Sequence, residues 1–265
     1  MRRHTRNLLA ALLLEALDNP ADARIQLVHV LCASLRPGSV MEFPVLEFIR
    51  MAQRKTHKPA ATLLQAAHRL AAPGGPLRAR HAVADEGLRA TLPLDENMAG
   101  WMIGLAPEVL LDLEAVQRRA AAYCDVLTRL EKLRWEFSSR EPLRWGIAQA
   151  AACFNAGLFF EAHEILEGYW VDLPRGAAKQ FVQGIIQISV GLHHAREGRF
   201  FGAANLLGRG LEKTAGESGT VLGLECRKFF AQIHAVREQL LAPGPLGMGR
   251  TPLPETPPMR VIPDP

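Results

Sequence analysis

Residues 177–196 read Ala-Ala-Lys-Gln-Phe-Val-Gln-Gly-Ile-Ile-Gln-Ile-Ser-Val-Gly-Leu-His-His-Ala-Arg. Phe181, Val182, Ile185, Ile186, Ile188, Val190 and Leu192 make this stretch apolar nearly all round, with no proline to interrupt it. A helix of that kind belongs in the middle of a bundle. Its polar exceptions align. At 100° per residue, Gln183, Gln187 and His194 fall within an arc of roughly 40°. Gly184 and Gly191 stand beside that arc, where another element can come close.

The rest of the chain fits the same class. Ala, Leu, Arg and Glu dominate the 265 residues, tyrosine occurs twice, and β-branched runs are short, which is helix rather than sheet composition. The expected fold is all-α, with stacked helical hairpins in the C-terminal half and an additional helical region before them. A hydrophobic fraction of 48% and a charged fraction of 22% describe a folded globular chain. Cys32, Cys124, Cys153 and Cys226 are far apart and form no Cys-x-x-Cys pair, so they read as reduced core residues. The basic start and the short run Leu8–Leu14 imitate a signal peptide, but Glu15 and Asp18 spoil the cleavage region. No apolar run reaches the roughly 18 residues of a membrane span. A cytoplasmic protein is expected. The net charge of +4 is carried by scattered basic groups, so nucleic-acid binding is not expected.

Asn19-Pro20, Arg36-Pro37-Gly38-Ser39, Lys58-Pro59 and Pro73-Gly74-Gly75-Pro76 cut the first 76 residues into short helices. Residues 77 to about 106, with a break at Leu92-Pro93-Leu94-Asp95, read as helix fragments and loop. Pro107-Glu108 opens a long helix at about 107–137. In it Val109, Leu113, Val116, Ala120, Tyr123, Leu127 and Leu130 draw an apolar stripe that packs inside the chain or joins a second copy. A junction at Ser138-Ser139-Arg140-Glu141-Pro142 divides an N-terminal region, 1–140, from a second domain, 141–241. The Pro-rich end, 242–265, is expected to be extended, disordered and to bury little.

Residues 154–170, Phe-Asn-Ala-Gly-Leu-Phe-Phe-Glu-Ala-His-Glu-Ile-Leu-Glu-Gly-Tyr-Trp, are followed by Phe181-Val182-Gln183-Gly184-Ile185-Ile186-Gln187 and Gly191-Leu192-His193-His194. Together these segments resemble the bacterial family called domain of unknown function 309, over about residues 144–212. The resemblance implies a compact multihelical domain and no assigned activity. Within it Gly157-x-Phe159-Phe160-x-Ala162-x-x-Ile165-Leu166 recurs as Gly198-x-Phe200-Phe201-x-Ala203-x-x-Leu206-Leu207. This grammar is similar to tetratricopeptide hairpins, without their 34-residue period.

On the helix opening at Phe159, the residues Phe159, Ala162, Ile165, Leu166, Tyr169 and Trp170 share the apolar face. His163 and Glu167 stand one turn apart at its edge. Glu164 lies further round, and Glu161, nearly opposite the core, is expected in solvent or at a helix terminus. Trp170 reads as a packing anchor and His193 as a core histidine. The expected polar cluster joins His163, Glu167, Gln183, Gln187 and His194, with Asn155 near its mouth and Glu164 as a further candidate. Its simplest role is a hydrogen-bond network that fixes helix register. In the second copy Ala204, Asn205 and Gly208 replace His163, Glu164 and Glu167, so the hairpin does not itself require these groups.

Two functions follow. One is a non-catalytic protein-interaction module that uses grooves between hairpins or the 109–130 stripe. The other is a metal- or small-molecule-binding enzyme built on His163, Glu167 and His194. No metal or other cofactor is expected on the first reading. Phosphate loops, dinucleotide fingerprints and the common hydrolase motifs do not occur in the sequence.

Overall fold

The computed structural model describes residues 1–19, 22–35, 42–82, 92, 98–134, 137, 141–244 and 253–262. The junction at 138–140, the breaks at Pro20, 36–39 and 93–95, and tail residues 245–252 and 263–265 lie outside these. Two compact units divide the chain, Met1–Leu127 and Thr128–Pro265. The protein is predominantly α-helical, with eleven helices and only short antiparallel strands among the described residues.

Unit 1 contains α1 (Arg3–Asp18), α2 (Arg24–Ser34), α3 (Val45–Thr56) and α4 (Ala60–Leu70). Helix α2 packs on α1, α3 and α4 and buries Leu27, Leu31 and Cys32 completely. Residues 77–106 correct the expectation of helix fragments and loop. Here β2 (Leu77–His81) and β3 (Trp101–Leu105) pair antiparallel, and β1 (Glu42–Pro44) adds on the other side in the order β1-β3-β2. The sequence of β2 has period two: Leu77 and Ala79 are buried while Arg78 and Arg80 turn to the other face. That face explains the pairing. Glu42 and Arg78 both stand opposite Gly104, which has no side chain between them, and the Glu42 carboxylate meets Arg78 at 2.5 Å and Arg80 at 2.7 Å.

The long helix is interrupted. A single turn, α5 (Pro107–Leu110), precedes α6 (Leu113–Leu133), and between them Asp112 accepts a hydrogen bond from the Arg2 backbone N–H at 2.9 Å. The Asp112 carboxylate thereby ties the start of α6 to the backbone just before α1. Val109, Val116, Ala120, Tyr123 and Leu130 are at most 3% exposed, so most of the stripe is covered within the chain. Val126 is buried in preference to Leu127, as expected of a straight helix drifting from a strict seven-residue repeat.

Unit 2 continues with α7 (Pro142–Asn155), α8 (Phe159–Trp170), α9 (Ala177–Arg196), α10 (Phe200–Lys213) and α11 (Cys226–Leu241), each packed on the next. As its composition demands, α9 is central, between α8 and α10. Its approach to α10 depends on glycine. A Cβ on Gly210 would stand 2.7 Å from the Gly184 carbonyl oxygen, and one on Gly184 would stand 2.5 Å from Thr214 Cγ2.

The two sequence copies share a turn. Gly157 and Gly198 have φ of +72° and +76°, a region open to glycine at little cost. Leu158 N–H bonds Cys153 O and Arg199 N–H bonds His194 O, the six-to-one closure that ends a helix and lets the next begin.

A two-residue hairpin joins α10 to α11, with β4 (Thr220–Val221) and β5 (Leu224–Glu225) linked through Leu222 and Gly223, both at positive φ. The Pro-rich end departs from the expectation over residues 253–262. Pro257 and Met259 are buried, Val261 bridges Leu224, and the segment runs back along α11. Proline disfavours helix but suits an extended strand at an edge, where a missing N–H costs nothing.

Candidate functional site

Helix α8 is held on both flanks, by α7 and by α9. On the α7 side Gly146 leaves room for the Tyr169 ring, whose hydroxyl donates to Gln149 Oε1 at 3.3 Å. At the far end the Trp170 indole N–H donates to Lys179 O at 3.2 Å, and the Lys179 ammonium lies 4.6 Å from the ring centroid. Trp170 is thus the packing anchor that α8 needs where it turns into α9. The two-sided cover also removes Glu161 from solvent, one of the two places expected for it. It is 0% exposed, because the buried arc of a sandwiched helix is wider than one apolar stripe.

The half-exposed edge of α8 carries the polar cluster. His163 Nε2 lies 3.0 Å from Glu164 Oε1, and one donor atom each from His163, Glu164 and Glu167 fall within 4.8 Å of one another. Phe160 packs edge-on against His163, with ring centroids 4.9 Å apart. His163 Nδ1 is buried and has no hydrogen-bond partner. On α9, Gln187 Oε1 is in the same condition. Two contacts set the antiparallel register of the helices, Phe160 with His193 at 5.6 Å and Trp170 with Lys179. Interpolating between them puts Gln187 level with Glu164 and Gln183 level with Glu167. Both glutamines occupy the half-exposed stripe of α9 and are not sealed in the core.

His194 and Asn155 do not join this group. The His194 ring turns toward α10, where its Nδ1 would stand 3.1 Å from a Cβ on Gly202. Burial and the neighbouring Arg199 guanidinium hold its pKa below the ordinary imidazole value, against the opposing pull of Glu197. A helical wheel places a residue by angle but does not say which neighbour occupies that angle, and here the small Gly202 admits the ring. His193, read as a core histidine, is half-buried and reaches Glu197 at 3.3 Å while it lies against Phe160. Asn155, expected near the cluster's mouth, instead holds the C-terminal segment. Its amide donates to Met259 O and its carbonyl accepts from Met259 N–H, each at 2.8 Å. The sequence reading missed Met259. The alternation of Pro257, Met259 and Val261 was the available signal for a strand.

An imidazole nitrogen and two carboxylates suit a divalent transition ion such as manganese, iron or zinc. Bonds of about 2.0–2.2 Å put tetrahedral donors roughly 3.4 Å apart, so the widest pair, up to 4.8 Å apart here, must close by as much as about 1.4 Å, a movement that rotation of the two glutamate side chains can supply. Two carboxylates balance the ion's charge, and donors from one helix turn leave its remaining positions open to water or ligand. With Nε2 given to a metal, Nδ1 must carry the proton, and a metal-bound histidine ordinarily donates that proton to an acceptor.

Comparisons with known proteins agree with the sequence resemblance. Residues 147–206 match the family model described as Domain of unknown function (DUF309). The chain is 34% identical over 84 residues to "Uncharacterized protein YpuF" of Bacillus subtilis (strain 168), covering 31% of this chain and 48% of that protein. It is 28% identical over 101 residues to an "Uncharacterized protein" of Aquifex aeolicus (strain VF5), covering 38% of this chain and 29% of that protein. The chain thus spans about half the length of the first relative and less than a third of the second. The matched segment contains most of α7, all of α8 and α9 and the start of α10, and with them His163, Glu164 and Glu167. Over residues 147–206 the chain is similar to the DUF309 family.

Proposed function

We propose that unit 2 is a cation-binding helical domain in which His163, Glu164 and Glu167 hold one divalent transition ion at the edge of α8. The observation that supports it is the convergence of three donors on one helix turn. The second copy of the motif makes the same turn with Ala204, Asn205 and Gly208 at those positions, so packing does not require the donors. The test is thermal unfolding with added Mn²⁺ or Zn²⁺. An ion at 100 times its dissociation constant adds about 2.7 kcal/mol to the folded state. At roughly 4 °C per kcal/mol this raises Tm by about 10 °C. The rise disappears in His163→Ala and Glu167→Gln. No rise up to millimolar ion, or one that both variants retain, sinks the proposal.

A protein-interaction role for the same unit is supported by a different observation, the extended segment 253–262 lying along α11 and the β4-β5 hairpin. On this reading the groove that receives the segment is the recognition surface. Grooves between the helical hairpins are the remaining candidates for it.

A further inference from the structure

The underside of residues 253–262 is bound like a ligand. Asn155 takes both backbone groups of Met259, as a neighbouring strand would. Glu225 N–H donates to Arg260 O at 3.0 Å and Ile262 N–H donates to Gly223 O at 2.8 Å, bracketing the Leu224–Val261 bridge. Alternate side chains, Pro257, Met259 and Val261, turn inward, and Met259 is only 2% exposed. This is strand addition to a hairpin edge, with a pocket for one apolar anchor.

Toward its start the segment roofs the groove without filling it. A cavity of about 330 Å³ lies between Leu253–Thr256 and a floor made largely of Phe159, Leu192, Val236 and Leu240. A second, of about 260 Å³, follows the same seam between α11 and Pro254–Pro258. Leu253 and Ile262, at the two ends of the segment, are each 42% exposed. Both hollows open to solvent, so over residues 253–258 the segment covers the seam without packing closely onto it.

We infer that residues 253–262 are a detachable strap, a built-in occupant that covers a groove made for an extended segment with an apolar anchor at the Met259 position. The groove prefers a segment carrying a large apolar side chain at the place of Pro254, where the strap leaves the cavity empty. The inference rests on the interaction reading of unit 2 and is independent of the cation site. Tethering gives the strap an effective concentration on the order of millimolar, so an outside segment must outcompete it.

The test uses the full chain and a fluorescein-labelled peptide of residues 251–265, followed by anisotropy. Wild type is expected to bind the peptide weakly. Met259→Asp in the chain releases the strap and leaves the groove unaltered, so affinity rises at least tenfold. Adding Asn155→Ala to that chain reverses the gain, and a peptide with Pro254→Phe binds more tightly than the native one. Because Met259→Asp can also impair folding, a second chain carries a protease site within residues 245–250. After cleavage its strap must exchange with labelled peptide. A cleaved strap that stays bound, or a folded Met259→Asp chain with wild-type affinity, overturns the inference. If the peptide binds but ignores Asn155→Ala, the strap falls and the interaction reading survives at another groove. If a demonstrably released strap is not replaced by peptide, both fall.

Discussion

A matched pair of glycines tests how closely α9 and α10 are fitted. In Gly210→Ala the new Cβ would lie 2.7 Å from Gly184 O and 2.7 Å from Ile188 Cγ1, one of them backbone that cannot rotate away. Ordinary contact requires α10 to withdraw by roughly 0.7 Å, and a gap of that size forfeits a quarter to a half of each dispersion contact along the seam. Overpacking of this kind costs about 1–3 kcal/mol, offset by the 0.5–1 kcal/mol that alanine gains over glycine in a helix. The net loss is about 1–2 kcal/mol, or roughly 4–8 °C in Tm. Gly168→Ala on α8 is the same chemical change with no atom within 4 Å of the new Cβ. It should raise stability by about 0.5–1 kcal/mol. Urea midpoints and thermal melts of both variants, read by far-ultraviolet circular dichroism, check the pair. Equal shifts, or a Gly210→Ala protein as stable as wild type, would refute the packing argument.

Gly157→Ala and Gly198→Ala each force a side chain into the left-handed region at about 1–2 kcal/mol, and Gly157→Ala should be the worse because its Cβ meets the Arg196 guanidinium at 2.5 Å; urea midpoints that rank them the other way count against the turn geometry. Burial pushes the Cys32 thiol up to about 12, and its side chain is sealed, so at pH 8 only about one thiol in 10⁴ is ionised. Peptide mapping after alkylation should find Cys32 unmodified in the native protein and modified in urea, and rapid native labelling contradicts its placement. Because the fold holds the His194 pKa below its ordinary value, the unfolded chain takes up the proton first as pH falls through that value toward the lower folded one. Stability attributable to His194 is therefore present above about pH 6.5 and declines below it, and His194→Gln should flatten the change in urea midpoint between pH 7.5 and 5.5. Identical pH dependence in variant and wild type would remove His194 from that environment.

The helices were readable in the sequence because their apolar spacing repeats locally, and α9 announced its central place by being apolar on most sides. Strands β2 and β3 were not recognised, since each gains meaning only from a partner more than twenty residues away. Leu77-Arg78-Ala79-Arg80 does alternate, yet Arg78 and Arg80 look like solvent charges until Glu42 is placed opposite Gly104. The His163 and Glu167 pairing followed from one helix turn and needed no tertiary information. Glu161 kept out of solvent, and His194 and Asn155 drawn away from the cluster, share one reason, that each is placed by a neighbour: the two flanks of α8, the space above Gly202, and a backbone strand 104 positions along the chain.

The cation site is tested most directly by elemental mass spectrometry on protein purified without a metal-affinity tag and exchanged into chelator-treated buffer after loading with Mn²⁺, Fe²⁺ or Zn²⁺. Wild type is expected to hold close to one divalent ion per chain, and folded His163→Ala or Glu167→Gln protein none, with His194→Gln retaining it. A metal-free wild type, or an ion that both cluster variants keep, would contradict the account and leave the three side chains as a surface hydrogen-bond group.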